Sequence, residues 1–194
     1  MLPGEVDDDV VMRTSILIVV LCAALGATAA SAAVTVSATV AAGTTLSVNG
    51  TGSPTFSLTL NGVDQTTSYT LPLSVVDARG LATGGGWNLT ITSTQFNDGS
   101  GHTFPATAST ITGTGTPTCG TGSTCTVPTN SVNNSSIAVP AGATPPAAVK
   151  FFNAANATGL GTTNVSATVS VAVPSNVFAG TYSSTVTVAA VAGP

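Results

Sequence analysis

The chain has 194 residues, of which 43% are hydrophobic and 21 are Gly, against only 3 Lys or Arg, 7 Asp or Glu and 1 His. Most of the acidic residues, Glu5, Asp7, Asp8 and Asp9, lie at the extreme N-terminus, and beyond residue 32 only Arg79 and Lys150 stand against Asp64, Asp77 and Asp98. So sparse a charge set has no electrostatic footprint for nucleic acid. It is also too thin for the converging acids and bases of general acid–base catalysis.

In chain order, the first feature is a leader. Arg13 precedes the apolar run Ile16-Leu17-Ile18-Val19-Val20-Leu21-Cys22-Ala23-Ala24-Leu25, and the small residues Ala30-Ser31-Ala32 form an A-x-A cleavage pattern. The run is shorter than the roughly 20 residues a spanning helix needs. Residues 1–32 therefore read as a signal peptide, with Met12 a candidate start because the stretch before it is acidic. A lipoprotein reading of Cys22 fails, since Leu21 stands where a small residue belongs. Residues 33–194 are then expected as a single secreted domain with no membrane span and no sortase-type signal, one that would stay on a cell only by non-covalent contact.

From Val34 onward the hydrophobic period is two. Val34, Val36, Ala38 and Val40 alternate with polar residues, as do Phe56, Leu58 and Leu60. The pattern recurs over Tyr69–Val76, Trp87–Ser93, Val165–Val173 and Tyr182–Val191. Turn signals fall at Asn49-Gly50, Asn61-Gly62, Gly84-Gly85-Gly86 and Asn97-Asp98-Gly99. The expected fold is all-β, an antiparallel two-sheet sandwich of Greek-key or meander connectivity. Ser-Ala-Thr-Val occurs at both Ser37 and Ser166 without a fixed period, so it reflects strand composition and not a repeat.

The segment from Thr112 through Thr129 to Pro145-Pro146 lacks this alternation and predicts a long loop. Ser136–Val139 and Ala147–Phe152 are short strand candidates within and after it. Cys119 and Cys125, in "CGTGSTC", read as a disulfide closing a tight surface loop of an exported chain. With two thiols and the lone His102, no metal site or cofactor is expected. Nor is an enzyme: Glu is absent beyond the leader, the Asp residues are far apart and no serine lies in a G-x-S-x-G elbow. Asn97-Asp98-Gly99 offers one carboxylate, a turn rather than a calcium loop. The sequons at Asn88 and Asn156 are what a Thr- and Asn-rich chain contains by chance.

One stretch is more specific. "VVDARGLATGGGWNLTITSTQFNDGSG", Val75–Gly101, joins an apolar strand, the turn Asp77-Ala78-Arg79-Gly80, a glycine at Gly86, then Trp87-Asn88-Leu89 and Phe96. It resembles the WxL domain, a surface module of Gram-positive bacteria. "VPSNVFAGTYSSTVTV" is similar to that family's closing hairpin, with Tyr182 in place but Val186-Thr187-Val188 where a second Trp-x-Leu belongs. The resemblance implies an exported protein of the cell wall or cell surface, bound non-covalently to peptidoglycan or another wall glycan, with companion surface proteins as further partners. An alternative function is a structural subunit of an extracellular or pilus-like assembly, joined by strand-edge addition. The motif residues carried over are Asp77, Arg79, Gly80, Trp87, Leu89 and Tyr182. Two readings of Trp87 stand: an outward ring would be a platform for a sugar, whereas alternation, which puts it on one face with Leu89 and Ile91, favours an inward ring whose indole N–H needs a buried acceptor. Asp77 and Arg79 are expected to brace their own turn as an ion pair.

Overall fold

The computed structural model describes residues 37–194. The leader assigned to residues 1–32, and Val34 and Val36, lie outside the described residues. The compact unit is Ala41–Pro194. Its regular structure is entirely strand: β1 (Leu46–Gly50), β2 (Gln65–Asp77), β3 (Trp87–Thr94), β4 (Ser109–Thr114), β5 (Thr118–Cys119), β6 (Ile137–Ala138), β7 (Ala141–Gly142), β8 (Val149–Ala154), β9 (Gly161–Val173) and β10 (Val186–Ala192). Among the described residues no helix is long and apolar enough to cross a membrane.

The strands form two sheets packed as a sandwich. One has the order β1-β2-β9-β4-β6 with β5 also on β9, and the other has the order β10-β3-β7 with β8 also on β3. The spine of the first sheet is the antiparallel pair β2 and β9, in unbroken register from Gln65 opposite Val173 to Asp77 opposite Gly161. Strands so far apart in sequence pair directly, so the connectivity is not a meander. All pairings are antiparallel except the short contact of Ser93-Thr94 with Ala141-Gly142, which is parallel.

Period-two sequence becomes a core here. Leu71, Leu73 and Val75 of β2 and Val165, Val169 and Val171 of β9 are buried on the inner face. From the other sheet Trp87, Leu89 and Ile91 of β3 meet them, with Phe151 and Phe152 of β8. Each such aliphatic or aromatic side chain contributes about 1.5–3 kcal/mol on burial. Consecutive residues of a regular strand cannot both point inward. A register shift between Leu89 and Thr90 opposite β8 lets Phe151 and Phe152 do so.

Several sequence expectations are corrected. Ser37–Val40 forms no strand and Val40 is 92% exposed. Phe56–Leu60 is no strand either, although Phe56 and Leu58 are half-buried and pack on the core as alternation predicts. Alternation secures a face, but a strand also needs a neighbour for its backbone groups. Asn49-Gly50, read as a turn, ends β1, and β4 was not anticipated because its inward positions are Ser109 and Ile111 with only one large apolar side chain. The predicted strand from Tyr182 begins at Val186, preceded by a bridge of Ser183 to Asn97. The long loop is pinned to the sandwich at three points, β5 to β9, β6 to β4 and β7 to β3.

Candidate functional site

The motif residues converge on one corner where β2 leaves the first sheet and β3 enters the second. Asp77, the last residue of β2, turns its carboxylate toward Arg79. Oδ1 accepts from the Arg79 backbone N–H at 3.1 Å and from Nε at 2.9 Å, and Oδ2 accepts from Nη2 at 2.8 Å. The Arg79 Nη2 also donates to the Gly86 carbonyl at 2.8 Å, the residue before Trp87. One guanidinium thus ties the end of β2 to the start of β3. The hydrogen bonds to Asp77 raise the Arg79 pKa above its ordinary value. The two form an ion pair across their own turn, with the Asp77 side chain 0% exposed and that of Arg79 11%. Gly80 closes the turn at a φ of 64°, a region costly to other residues.

Trp87 is 0% exposed, on one face with Leu89 and Ile91. Its Nε1–H donates to the Gly159 carbonyl at 3.0 Å, and its ring lies 5.9 Å from that of Phe152. The acceptor is built by the loop ahead of β9 and by the disulfide loop. Gly159 donates its N–H to Thr126 at 2.7 Å, next to Cys125, which is bonded to Cys119. Gly159 itself has a φ of 75°, and a Cβ there would come within 2.5 Å of the Trp87 Nε1. Asn156 adds a further tie, its Oδ1 accepting from the Gly85 N–H at 2.9 Å. The corner is a sealed structural joint, with no surface through which Trp87 could meet a ligand.

The second, degenerate motif lies beside the first. β10 pairs antiparallel with β3, placing Val188 opposite Ile91 and Val186 opposite Ser93. Val186 and Val188 are half-buried on the inner side of this outer strand.

At the far end of β3, roughly 25 Å from Trp87 at about 3.3 Å per residue, a different surface opens. Gln95, His102, Phe104, Asn176, Phe178 and Tyr182 line an open cleft of about 400 Å³. Tyr182 is the one motif residue found here. The cleft's first wall is the Asn97–His102 turn. The Asp98 Oδ1 accepts from the N–H groups of Ser100 at 2.8 Å and His102 at 3.0 Å, and Oδ2 lies 2.6 Å from the His102 Nδ1. Both oxygens are committed to the turn, and among the described residues no cluster of three or more His, Cys, Asp or Glu could hold a metal ion. The bond to His102 lowers the Asp98 pKa, with the backbone donors acting in the same direction.

The second wall is the loop from Pro174 to Tyr182. Asp64 anchors it by accepting from the Ser175 N–H at 2.8 Å, which lowers the Asp64 pKa. Tyr182 anchors it by donating its hydroxyl to the Phe178 carbonyl at 3.1 Å. Phe178 is 64% exposed, and its ring stands 4.3 Å from that of His102. Behind them the Tyr182 ring lies 4.4 Å from Phe104, Phe104 5.4 Å from Phe96, and Phe96 5.8 Å from Phe56. Tyr69 ends this aromatic row, and burial pushes its hydroxyl up to about 12, so it stays neutral. Gln95 donates its amide to the Phe104 carbonyl. Its own carbonyl oxygen, the Asn176 amide and the His102 Nε2 have no partner among the described residues.

Sequence reading singled out Tyr182 but missed Gln95, Asn176 and Phe178, and it weighed His102 only as a metal ligand or as an acid–base group. The available signal was a Phe amid Pro, Ser, Asn and Gly, a place where a large apolar side chain has no strand to bury it.

The fold is thus a two-sheet β sandwich with a sealed motif corner at one end of β3 and an open, largely aromatic cleft at the other. Over residues 34–187 the chain matches the model of the WxL domain, described as surface cell wall-binding. The chain belongs to this family of surface cell wall-binding domains, and the match ends within the degenerate second motif. No curated protein and no solved structure matches it.

Proposed function

We propose that this protein is exported by way of residues 1–32, and that residues 33–194 act as one domain holding it on the cell wall by non-covalent contact with peptidoglycan or another wall glycan. The family match over residues 34–187 carries this reading. The composition supports it, since past the leader there are five charged side chains and a surface rich in Thr, Ser and Asn that can hydrogen-bond sugar hydroxyls. No catalysis is assigned. The test is co-sedimentation of the purified protein, as its host processes it, with washed Gram-positive sacculi. The protein is expected in the pellet, and retention in the supernatant would overturn the reading.

A second reading, a subunit of a surface assembly, is favoured by one observation. Among the described residues β10, "VTVAAVA", pairs on one side, with β3, and it carries neither charge nor proline to guard its other edge. Size-exclusion chromatography separates the two: a wall-binding module elutes as a monomer, a subunit polymerises.

A further inference from the structure

We infer that the cleft at the Gln95 end of β3 is the glycan-contact site of this domain, and that it takes an uncharged pyranose, an N-acetylhexosamine ring of the wall glycan, stacked on Phe178. The inference rests on the wall-binding reading above and names the surface and the chemistry behind it.

Phe178 is the first argument. The fold buries Trp87, Phe104, Phe151 and Phe152 almost completely, yet leaves Phe178 64% exposed on a loop whose backbone is held at both ends, by Asp64 at Ser175 and by Tyr182 at Phe178. A ring held in the open on an anchored loop presents a fixed flat face on which a ligand can stack without ordering the loop first. The C–H face of a pyranose is such a partner, being apolar and flat enough to cover one ring.

Polar groups make the second argument. Around that ring stand the Asn176 amide, the carbonyl oxygen of Gln95 and the Nε2 of His102, all without partners among the described residues, together with the Tyr182 hydroxyl. The two amides and the phenol combine donors and acceptors without a formal charge, which suits hydroxyl and acetamido groups, and the imidazole adds a further polar edge. A few placed polar groups in a largely aromatic cleft of about 400 Å³ are within the usual range for a small-molecule subsite.

Charge decides among the polymers of a wall. Arg79 is committed to Asp77 and Gly86 at the opposite end of β3, and Lys150 lies on β8, outside the cleft lining. The formal anions nearest the cleft among the described residues are the wall anchors Asp98, beside His102, and Asp64, beside Ser175. Among the described residues, a phosphate-rich polymer or the carboxylates of a stem peptide would meet only His102 as a potential cation, and Asp98 already engages that side chain. The neutral sugar backbone meets no such opposition.

The test uses the purified protein with three probes: glycan strands freed of stem peptides by an amidase, the free stem peptide, and a phosphate-containing wall polymer. Binding is followed by NMR shifts of the His102 ring and the Asn176 side-chain amide, and in parallel by co-sedimentation with sacculi. The expected result is that peptide-free strands shift both signals. Phe178→Ala, at an exposed position where circular dichroism should show an intact fold, is expected to weaken binding about tenfold or more, while Phe178→Trp retains it. If wild type and Phe178→Ala pellet equally with sacculi, the cleft assignment is wrong although wall binding stands. If peptide-free strands leave His102 and Asn176 unshifted, or the stem peptide or phosphate polymer shifts them instead, the sugar assignment is overturned. A protein that ignores sacculi but whose cleft responds to free strands would sink wall anchoring and keep the sugar site.

Discussion

At the Trp87 end of β3 an aromatic ring is sealed in the core, its N–H matched to one carbonyl and its approach closed by Gly159. At the Gln95 end, rings stand in the open with polar groups unmatched around them. The same strand thus serves two purposes: its beginning joins the two sheets, and its end supports a surface that can accept something. The residues that make the family recognisable in sequence are mostly those of the joint. In this chain they meet a packing problem, an Arg reaching from one strand end to the carbonyl before a Trp whose ring is 0% exposed.

The largest effect should come from breaking the joint. Trp87→Ala removes the largest buried side chain and is expected to cost about 3–5 kcal/mol, enough to unfold a marginal domain. Denaturant titration measures it, and a folded variant of wild-type stability would refute the buried role. Gly159→Ala approaches the same joint from the other side: its Cβ would fall 2.5 Å from the Trp87 Nε1 and 2.7 Å from the Ala154 Cβ, at a φ of 75°. About 3 kcal/mol of destabilisation is expected from overpacking and the left-handed backbone together. Next in size, Arg79→Leu leaves the Asp77 carboxylate buried without its partner and frees the Gly86 carbonyl. The expected loss is about 2–3 kcal/mol, read by the same titration, with Arg79→Lys recovering part of it because an ammonium cannot span both acceptors in the fork geometry.

How much of this was legible beforehand follows the same division. The long strands announced themselves because β2 and β9 alternate without interruption, and the inward course of Trp87 followed from its phase with Leu89 and Ile91. The nearness of Cys119 to Cys125 sufficed to foresee their disulfide. What stayed hidden depends on distant partners. That Arg79 bonds the Gly86 carbonyl, that Gly159 receives the indole, and that Thr126 beside the disulfide orients Gly159 are contacts between loops with no local signature. The cleft was hidden for a related reason: Gln95, His102 and Asn176 are ordinary turn residues until the ends of β3 and β9 bring them around Phe178. Conversely, the Phe56–Leu60 alternation read as a strand because two half-buried positions imitate one, although no neighbour pairs with it.

Removing the disulfide sharpens the comparison at intermediate size. Cys119→Ser with Cys125→Ser opens a small loop, and about 2 kcal/mol is expected from chain entropy. Because Thr126 holds Gly159, the change should register at the joint, as altered Trp87 fluorescence in the still-folded protein, while the His102 ring signal keeps its shift. An unchanged Trp87 spectrum would show that the loop does not position the indole acceptor.

The smallest effect belongs to the cleft and is read in acid. Asp98, bonded first to His102, and Asp64, bonded first to the Ser175 N–H, both have pKa values below the ordinary aspartate value of 3.8. A carboxylate whose folded pKa lies below its unfolded one gives stability that is fully present above the unfolded value and is lost as pH falls through the folded one. The two tethers should therefore hold both cleft walls at neutral pH and release them only below about pH 4. Asp64 is exposed and Asp98 is half-buried in a surface turn, and each tethers only its own loop, so the consequence is local: the Ser175 and His102 amides lose hydrogen-exchange protection, relative to their intrinsic acid rates, without global unfolding. Protection that persists unchanged to pH 2 would mean that these carboxylates do not hold the loops, and the preorganisation of the cleft would then rest on Tyr182 and the aromatic row behind it.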